Sequence, residues 1–152
     1  MKVHTNSAQE TQHAGKIFAK KLVGGDTILL YGNLGAGKTT FVQGLAKGLG
    51  IEKRIISPTF IIVRRYEVLN SSSSEQSESR SSRQARTIKW LYHIDLYRTQ
   101  TEDDVKGLGI DEILQEKDAI VAIEWPEKLG SFLPKKRWEL RFENHDIEEE
   151  YN

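Results

Sequence analysis

The 152-residue chain contains no cysteine. That excludes disulfides and thiolate metal sites, and it fits a reducing compartment. There is no excess charge either. The 22 lysines and arginines balance 22 aspartates and glutamates, so a general attraction to phosphate backbones is not expected and only a local basic patch could supply one. No apolar run approaches the ~20 residues needed to span a bilayer. The opening MKVHTNSAQE lacks the apolar core of a signal peptide. A cytoplasmic protein without a membrane segment is the expectation. What is present, 38% hydrophobic and 29% charged residues, suits one globular domain over residues 1–152 with a full core.

Hydrophobic spacing divides the chain into alternating helices and strands. Ser7 and Glu10 stand in capping-box spacing, and Ala14, Ile17, Phe18 and Leu22 follow on one helical face, which predicts a helix over 8–23. After VGGD, the apolar TILLYG predicts a strand starting near Asp26, and Lys38 to Leu49 a second helix ended by Gly48 and Gly50. SPTFIIVRRYEVL and IKWLYHIDL are rich in β-branched and aromatic residues and read as strands. TEDDVKGLGIDEILQ opens on Thr101 and Asp104 in capping-box spacing and reads as helix, turn, short helix. AIVAIEW is a continuous apolar run, the signature of a strand buried on both faces, whereas KRWELRFE alternates and should be more exposed. The interleaving predicts an α/β fold with a largely parallel central sheet.

Residues 70–87, NSSSSEQSESRSSRQART, hold eight serines and no large apolar side chain. Such a segment cannot bury enough surface to offset its ordering entropy, so it reads as a disordered insertion between two strands. Arg80, Arg83 and Arg86 could form a lid over phosphate, but a solvated loop is the plainer reading.

The strongest signal is Gly32-Asn33-Leu34-Gly35-Ala36-Gly37-Lys38-Thr39, which matches the G-x-x-x-x-G-K-[ST] phosphate-binding loop. Its glycines let successive backbone N–H groups curl inward around an anion. The helix that follows adds its positive dipole end. Lys38 supplies a point charge for the β- and γ-phosphates, and the Thr39 hydroxyl can ligate Mg²⁺. An apolar strand before the loop and a helix after it complete the context, which implies a nucleoside triphosphate site.

Such a site also needs a carboxylate near the metal and a group that orients the nucleophile. Two apolar strands end in an acid, WLYHID at Asp95 and AIVAIE at Glu124. In an open parallel sheet both strand ends face the ligand, so at least one acid belongs at the metal. His93 shares a strand face with Asp95. A packed or hydrogen-bonded histidine is the plainer reading there, since no cysteine or further histidine is at hand to build a zinc site. Ser57-Pro58-Thr59 lies where a switch threonine would sense the γ-phosphate, and it could equally be a turn leading into a strand.

In this order, GNLGAGKTTFVQGLAKGLGI, SPTFIIVRRYE, YHIDLYR, GLGIDEIL and IEWPEKLGSFLP resemble the TsaE (YjeE) family, bacterial P-loop ATPases of tRNA threonylcarbamoyladenosine synthesis. The matching segments run from about residue 25 to 134. The resemblance implies a three-layer P-loop NTPase-like fold, ATP and Mg²⁺ as cofactors, and the proteins TsaB and TsaD as partners, with tRNA met only through their complex. It implies that ATP hydrolysis resets that complex between turnovers. By motif, Asn33, Leu34, Gly35, Ala36, Gly37, Lys38 and Thr39, with the adjoining Thr40, hold the nucleotide. Thr39 and Glu124 are the metal residues, and Lys38, Asp95 and Thr59 are the residues required for hydrolysis. The segment near Ser7 to Glu10 is implied to contact the base. The serine-rich insertion is longer than the family pattern, and the acidic ending HDIEEEYN offers little to match.

Rival readings are a small P-loop kinase, a nucleotide-gated binding module and a GTPase. No second-substrate motif supports the kinase. DVKG at Asp104 satisfies D-x-x-G but follows polar residues, and no N-K-x-D motif reads guanine.

Overall fold

The run AIVAIE forms β5 (Ala119–Glu124), and all of its residues are buried because both faces of the strand are covered. In the computed structural model, which describes residues 1–56, 62–69 and 87–152, β5 lies inside a seven-stranded sheet. The strands are β1 (Lys2–His4), β2 (Thr27–Tyr31), β3 (Val63–Glu67), β4 (Trp90–Asp95), β5, β6 (Trp138–Glu143) and β7 (Asp146–Tyr151), in the order β1-β7-β6-β2-β5-β4-β3. The central neighbours β6, β2, β5 and β4 pair in parallel. The flanks are antiparallel, β3 against β4 on one side and β7 and β1 beyond β6 on the other. Ser57 to Ile61, with the switch-like Thr59, and all of the serine-rich segment except Thr87 lie outside the described residues.

Helices α1 (Ala8–Phe18) and α2 (Lys38–Gly48) cover one face, where Phe18, Phe41 and Leu45 pack on Leu30, Leu91 and Ile120. On the other face, α3 (Glu102–Lys106), α4 (Ile110–Leu114) and a 3-10 segment, Pro126–Phe132, bring Val105, Ile110 and Leu129 onto Leu29, Ile94 and Ile123. Alternate residues of β2, β4 and β5 therefore serve different cores, while β6 gives Leu140 and Phe142 to the first core only, and each fully buried leucine or isoleucine contributes about 2 kcal/mol. The result is the expected three-layer α/β fold, with antiparallel flanks around the parallel centre. Among the described residues no helix is long and apolar enough to cross a membrane.

The first helix ends earlier than its apolar spacing suggests. A 3-10 turn, Ala19–Lys21, follows Phe18, and Leu22 is already extended. The Asp26 carboxylate accepts a hydrogen bond from Val23 N–H at 3.0 Å and fixes the turn into β2. At the amino end Ser7 caps α1 by accepting from Glu10 N–H at 3.1 Å. Glu10 does not return the bond to the cap residue; its carboxylate accepts instead from Asn6 N–H at 2.6 Å. The capping box at Thr101 and Asp104 forms in full.

Strands β1 and β7 are not legible from spacing. The acidic ending is a strand because Asn144 and His145 turn the chain in two residues with φ of 50° and 68°, the geometry of a tight hairpin. Arg141 stands opposite Glu148 across β6 and β7, while Lys21 and Lys2 pair with Glu149 and Glu148. Opposite charges thus replace the hydrophobic alternation that would have marked the strand.

Candidate phosphate-binding site

β2 ends at Tyr31, and the chain turns through Gly32 to Gly37 before α2 begins at Lys38. Gly37 has φ 102° at the helix N-cap, a left-handed conformation that side chains rarely adopt. A Cβ at Gly37 would lie 3.5 Å from Thr11 Cγ2, so the first turns of α1 stand beside the loop. Asn33, Leu34 and Gly35 are exposed on the rim, while Ala36, Gly37, Thr39 and Thr40 are partly covered. The free N–H groups and positive dipole end of α2 converge on this loop.

Lys38 is only 5% exposed. Its Nζ donates to Gly32 O and, at 3.4 Å, to Asn33 O. The same nitrogen sits 4.0 Å from the centre of the Trp125 ring. Burial holds this ammonium below the usual lysine range, and the carboxylates of Glu124, Glu127 and Asp95 work against that shift. A cation held inside a curl of backbone, with little water around it, is suited to meet an anion.

Strand register brings the two strand-end acids together. Leu30 of β2 is level with Glu124 of β5, and Glu124 is level with Asp95 of β4. Both acids therefore emerge on the carboxyl edge that carries the loop. Their environments differ. Thr39 Oγ1 lies within hydrogen-bond reach of both Glu124 oxygens, at 3.1 and 3.0 Å, and donates to that carboxylate. His93 Nε2 lies 2.6 Å from Glu124 Oε2. Asp95 instead accepts from Tyr97 N–H at 2.9 Å. Burial, reinforced by the charge of Glu124, raises its carboxyl above the usual range, while the Tyr97 N–H, His93 and Lys38 pull the other way.

Thr39 and Glu124 offer a hydroxyl and a carboxylate side by side. Among the described residues no cluster of three or more His, Asp or Glu forms a complete metal cage. That donor set fits Mg²⁺, which takes oxygen ligands, keeps several waters and relies on one or two carboxylates plus substrate phosphates. His93 is hydrogen-bonded and fully buried, as its position in an apolar strand suggests. Thr59 lies outside the described residues.

Spacing alone did not single out Trp125. It follows Glu124 with φ 59° and ψ 50°, a left-handed conformation that costs a non-glycine residue about 1–3 kcal/mol and clusters at functional sites. Its ring contacts Tyr97, 5.0 Å away centre to centre, as well as Lys38. Trp-Pro directly after a strand-end acid was the available signal.

The model of the family described as "Threonylcarbamoyl adenosine biosynthesis protein TsaE" matches residues 5–151, beyond the 25–134 stretch that carries the motifs. The chain is 34% identical over 140 residues to the tRNA threonylcarbamoyladenosine biosynthesis protein TsaE of Bacillus subtilis, covering 92% of this chain and 75% of that protein. It is 36% identical over 135 residues to the protein of the same name from Treponema pallidum, covering 89% and 85%. The crystal structure of Bacillus subtilis YdiB superposes with a TM-score of 0.66 at 25% identity, covering 99% of this chain and 83% of that one. With the family model, relatives at a third of positions identical and the fold in agreement over nearly its whole length, the chain belongs to the TsaE family.

Proposed function

We propose that the protein binds ATP with Mg²⁺ at Gly32 to Thr40, hydrolyses it, and through that cycle serves the threonylcarbamoyladenosine modification of tRNA in the cytoplasm, acting on a TsaB–TsaD complex. The observation that most supports this reading is the Thr39–Glu124 hydrogen bond, which joins the first turn of α2 to the end of β5 beside the buried Lys38. The relatives, tRNA threonylcarbamoyladenosine biosynthesis proteins by name, support the tRNA role.

In this reading the backbone of Asn33 to Thr39 cradles the phosphates, and Lys38 reaches the β- and γ-oxygens. Thr39 and Glu124 hold the metal. Mg²⁺, when bound, would supply positive charge that offsets the charge developing on the phosphates. Asp95 orients the attacking water from the neighbouring strand end, and Thr59 senses the γ-phosphate. Contact with tRNA is indirect, because a chain of zero net charge has no general affinity for a polyanion.

The test is ATP turnover with and without TsaB and TsaD, for the unaltered chain and for Lys38→Ala. Turnover should be lost in Lys38→Ala, and ATP should raise the Tm of the unaltered chain because it binds only the folded state. Unchanged affinity and turnover in Lys38→Ala would overturn the assignment. Pull-down of the TsaB–TsaD complex should depend on ATP. Partner capture indifferent to nucleotide, or tight salt-sensitive tRNA binding by the isolated chain, would overturn the partner role.

A further inference from the structure

Beneath α2, strands β3 and β4 place Arg64 directly opposite His93. Residues opposite each other across paired strands share a face, and this face is the one that carries Leu91 and Tyr66 into the core under α2. His93 is 0% exposed, and its Nε2 contacts the Glu124 carboxylate at 2.6 Å. Its other nitrogen, Nδ1, is buried with no hydrogen-bond partner among the described residues, and so are Arg64 Nε and Tyr66 Oη. Three such atoms on one patch are unusual, because buried polar groups are nearly always satisfied by protein or by ordered water.

Two of the three are complementary. An ionised carboxylate only accepts, so the ring hydrogen facing Glu124 is on Nε2. Nδ1 of that tautomer is an acceptor, and Arg64 Nε–H is a donor that keeps its proton. A buried water needs two or more polar partners, and this pair supplies them.

We propose that His93 and Arg64 are positioning residues for Glu124: one buried water accepts from Arg64 Nε–H and donates to His93 Nδ1, and His93 Nε2–H holds the Glu124 carboxylate toward Thr39. The inference rests on the proposed metal role of Glu124. Partners that orient a ligating side chain typically matter about 10–100-fold in metal affinity.

Two measurements test it. Long-range ¹H–¹⁵N NMR of the nucleotide-free chain reads the His93 tautomer without any substitution, so it decides even where a variant fails to fold. A hydrogen on Nε2, with an Nδ1 resonance that moves in Arg64→Met, is expected. A hydrogen on Nδ1 would overturn the chain of bonds. Binding of the fluorescent analogue mant-ATP, titrated with Mg²⁺, reads the consequence. In His93→Leu the Mg²⁺ concentration for half-saturation should rise about 10–100-fold, with metal-free binding unchanged. His93→Gln keeps a side-chain N–H donor and should recover most of the loss, and Arg64→Met should shift the midpoint in the same direction by less. An unchanged midpoint in His93→Leu, or no recovery in a normally folded His93→Gln, would overturn the positioning role. Absence of mant-ATP binding by the unaltered chain would overturn the proposed function instead, and the tautomer would still judge the hydrogen-bond chain.

Discussion

Gly44 is a helix residue whose missing side chain sets the distance between α1 and α2. A Cβ built there would lie 2.5 Å from the carbonyl carbon of Gln12 and 2.7 Å from its Cα, with the Gln12 oxygen nearer still. The struck atoms are backbone, so no side chain can swing aside. Carbon–carbon contacts are optimal near 3.5–4.0 Å, so the helices must part by about 1 Å, a gap that forfeits a quarter to a half of each dispersion contact along the seam. Forced overpacking costs about 1–3 kcal/mol, at times more. Alanine gains about 1 kcal/mol over glycine as a helix former. Because backbone meets backbone, the cost should lie at or above the top of its range. The net expectation for Gly44→Ala is a loss of about 2 kcal/mol or more, which in a domain of this size lowers Tm by about 4–8 °C. Gly107→Ala is the matched control. Its φ is −64°, and its Cβ would meet Asp103 O at 3.5 Å and Asp104 O at 3.6 Å, which is ordinary contact. That variant should be neutral or gain up to about 1 kcal/mol. Thermal and urea unfolding followed by circular dichroism compare the two. A Tm for Gly44→Ala at or above that of the unaltered chain, or an equal loss in Gly107→Ala, would refute the close-packing argument.

Glu124→Gln should raise the Mg²⁺ needed for nucleotide binding, whereas Asp95→Asn should spare binding and slow turnover; metal titration and single-turnover assays separate them, and the opposite pattern would exchange their roles. Asp95 also predicts a pH dependence. Its raised carboxyl binds a proton more tightly in the folded state than in the unfolded chain, so stability falls as pH rises from the ordinary value of 3.8 through the folded one. The penalty is complete above both values. Asp95→Asn keeps the oxygen that accepts from Tyr97 N–H, so it should raise Tm at neutral pH, with the gain fading toward pH 3.8. An unchanged or lower Tm at neutral pH would contradict it. Replacing residues 71–84 by a short turn should leave folding and mant-ATP binding intact, since loop length costs only about 0.6 kcal/mol per doubling. A large loss of ATPase activity in that deletion would instead favour the lid reading of Arg80 and Arg83.

Much of this protein is local, and the local parts were legible. The glycine-rich pattern from Gly32 to Thr39 is contiguous, so the turn between β2 and α2 could be read without a fold. β5 and β2 declare themselves because a strand covered on both faces must be apolar throughout. The capping box at Thr101 needs only neighbours three residues apart. Other features depend on partners distant in the chain. Strand register, which no local pattern encodes, made Glu124 rather than Asp95 the acid that meets Thr39. β7 is a strand because Lys2, Lys21 and Arg141 come to its glutamates from elsewhere. Gly44 looks in sequence like any weak helix residue, and only the crossing of α1 makes it obligatory. His93 could be read as a packed histidine, but its partners sit on β3 and β5, and a buried polar group takes its meaning from whichever strands the sheet brings beside it.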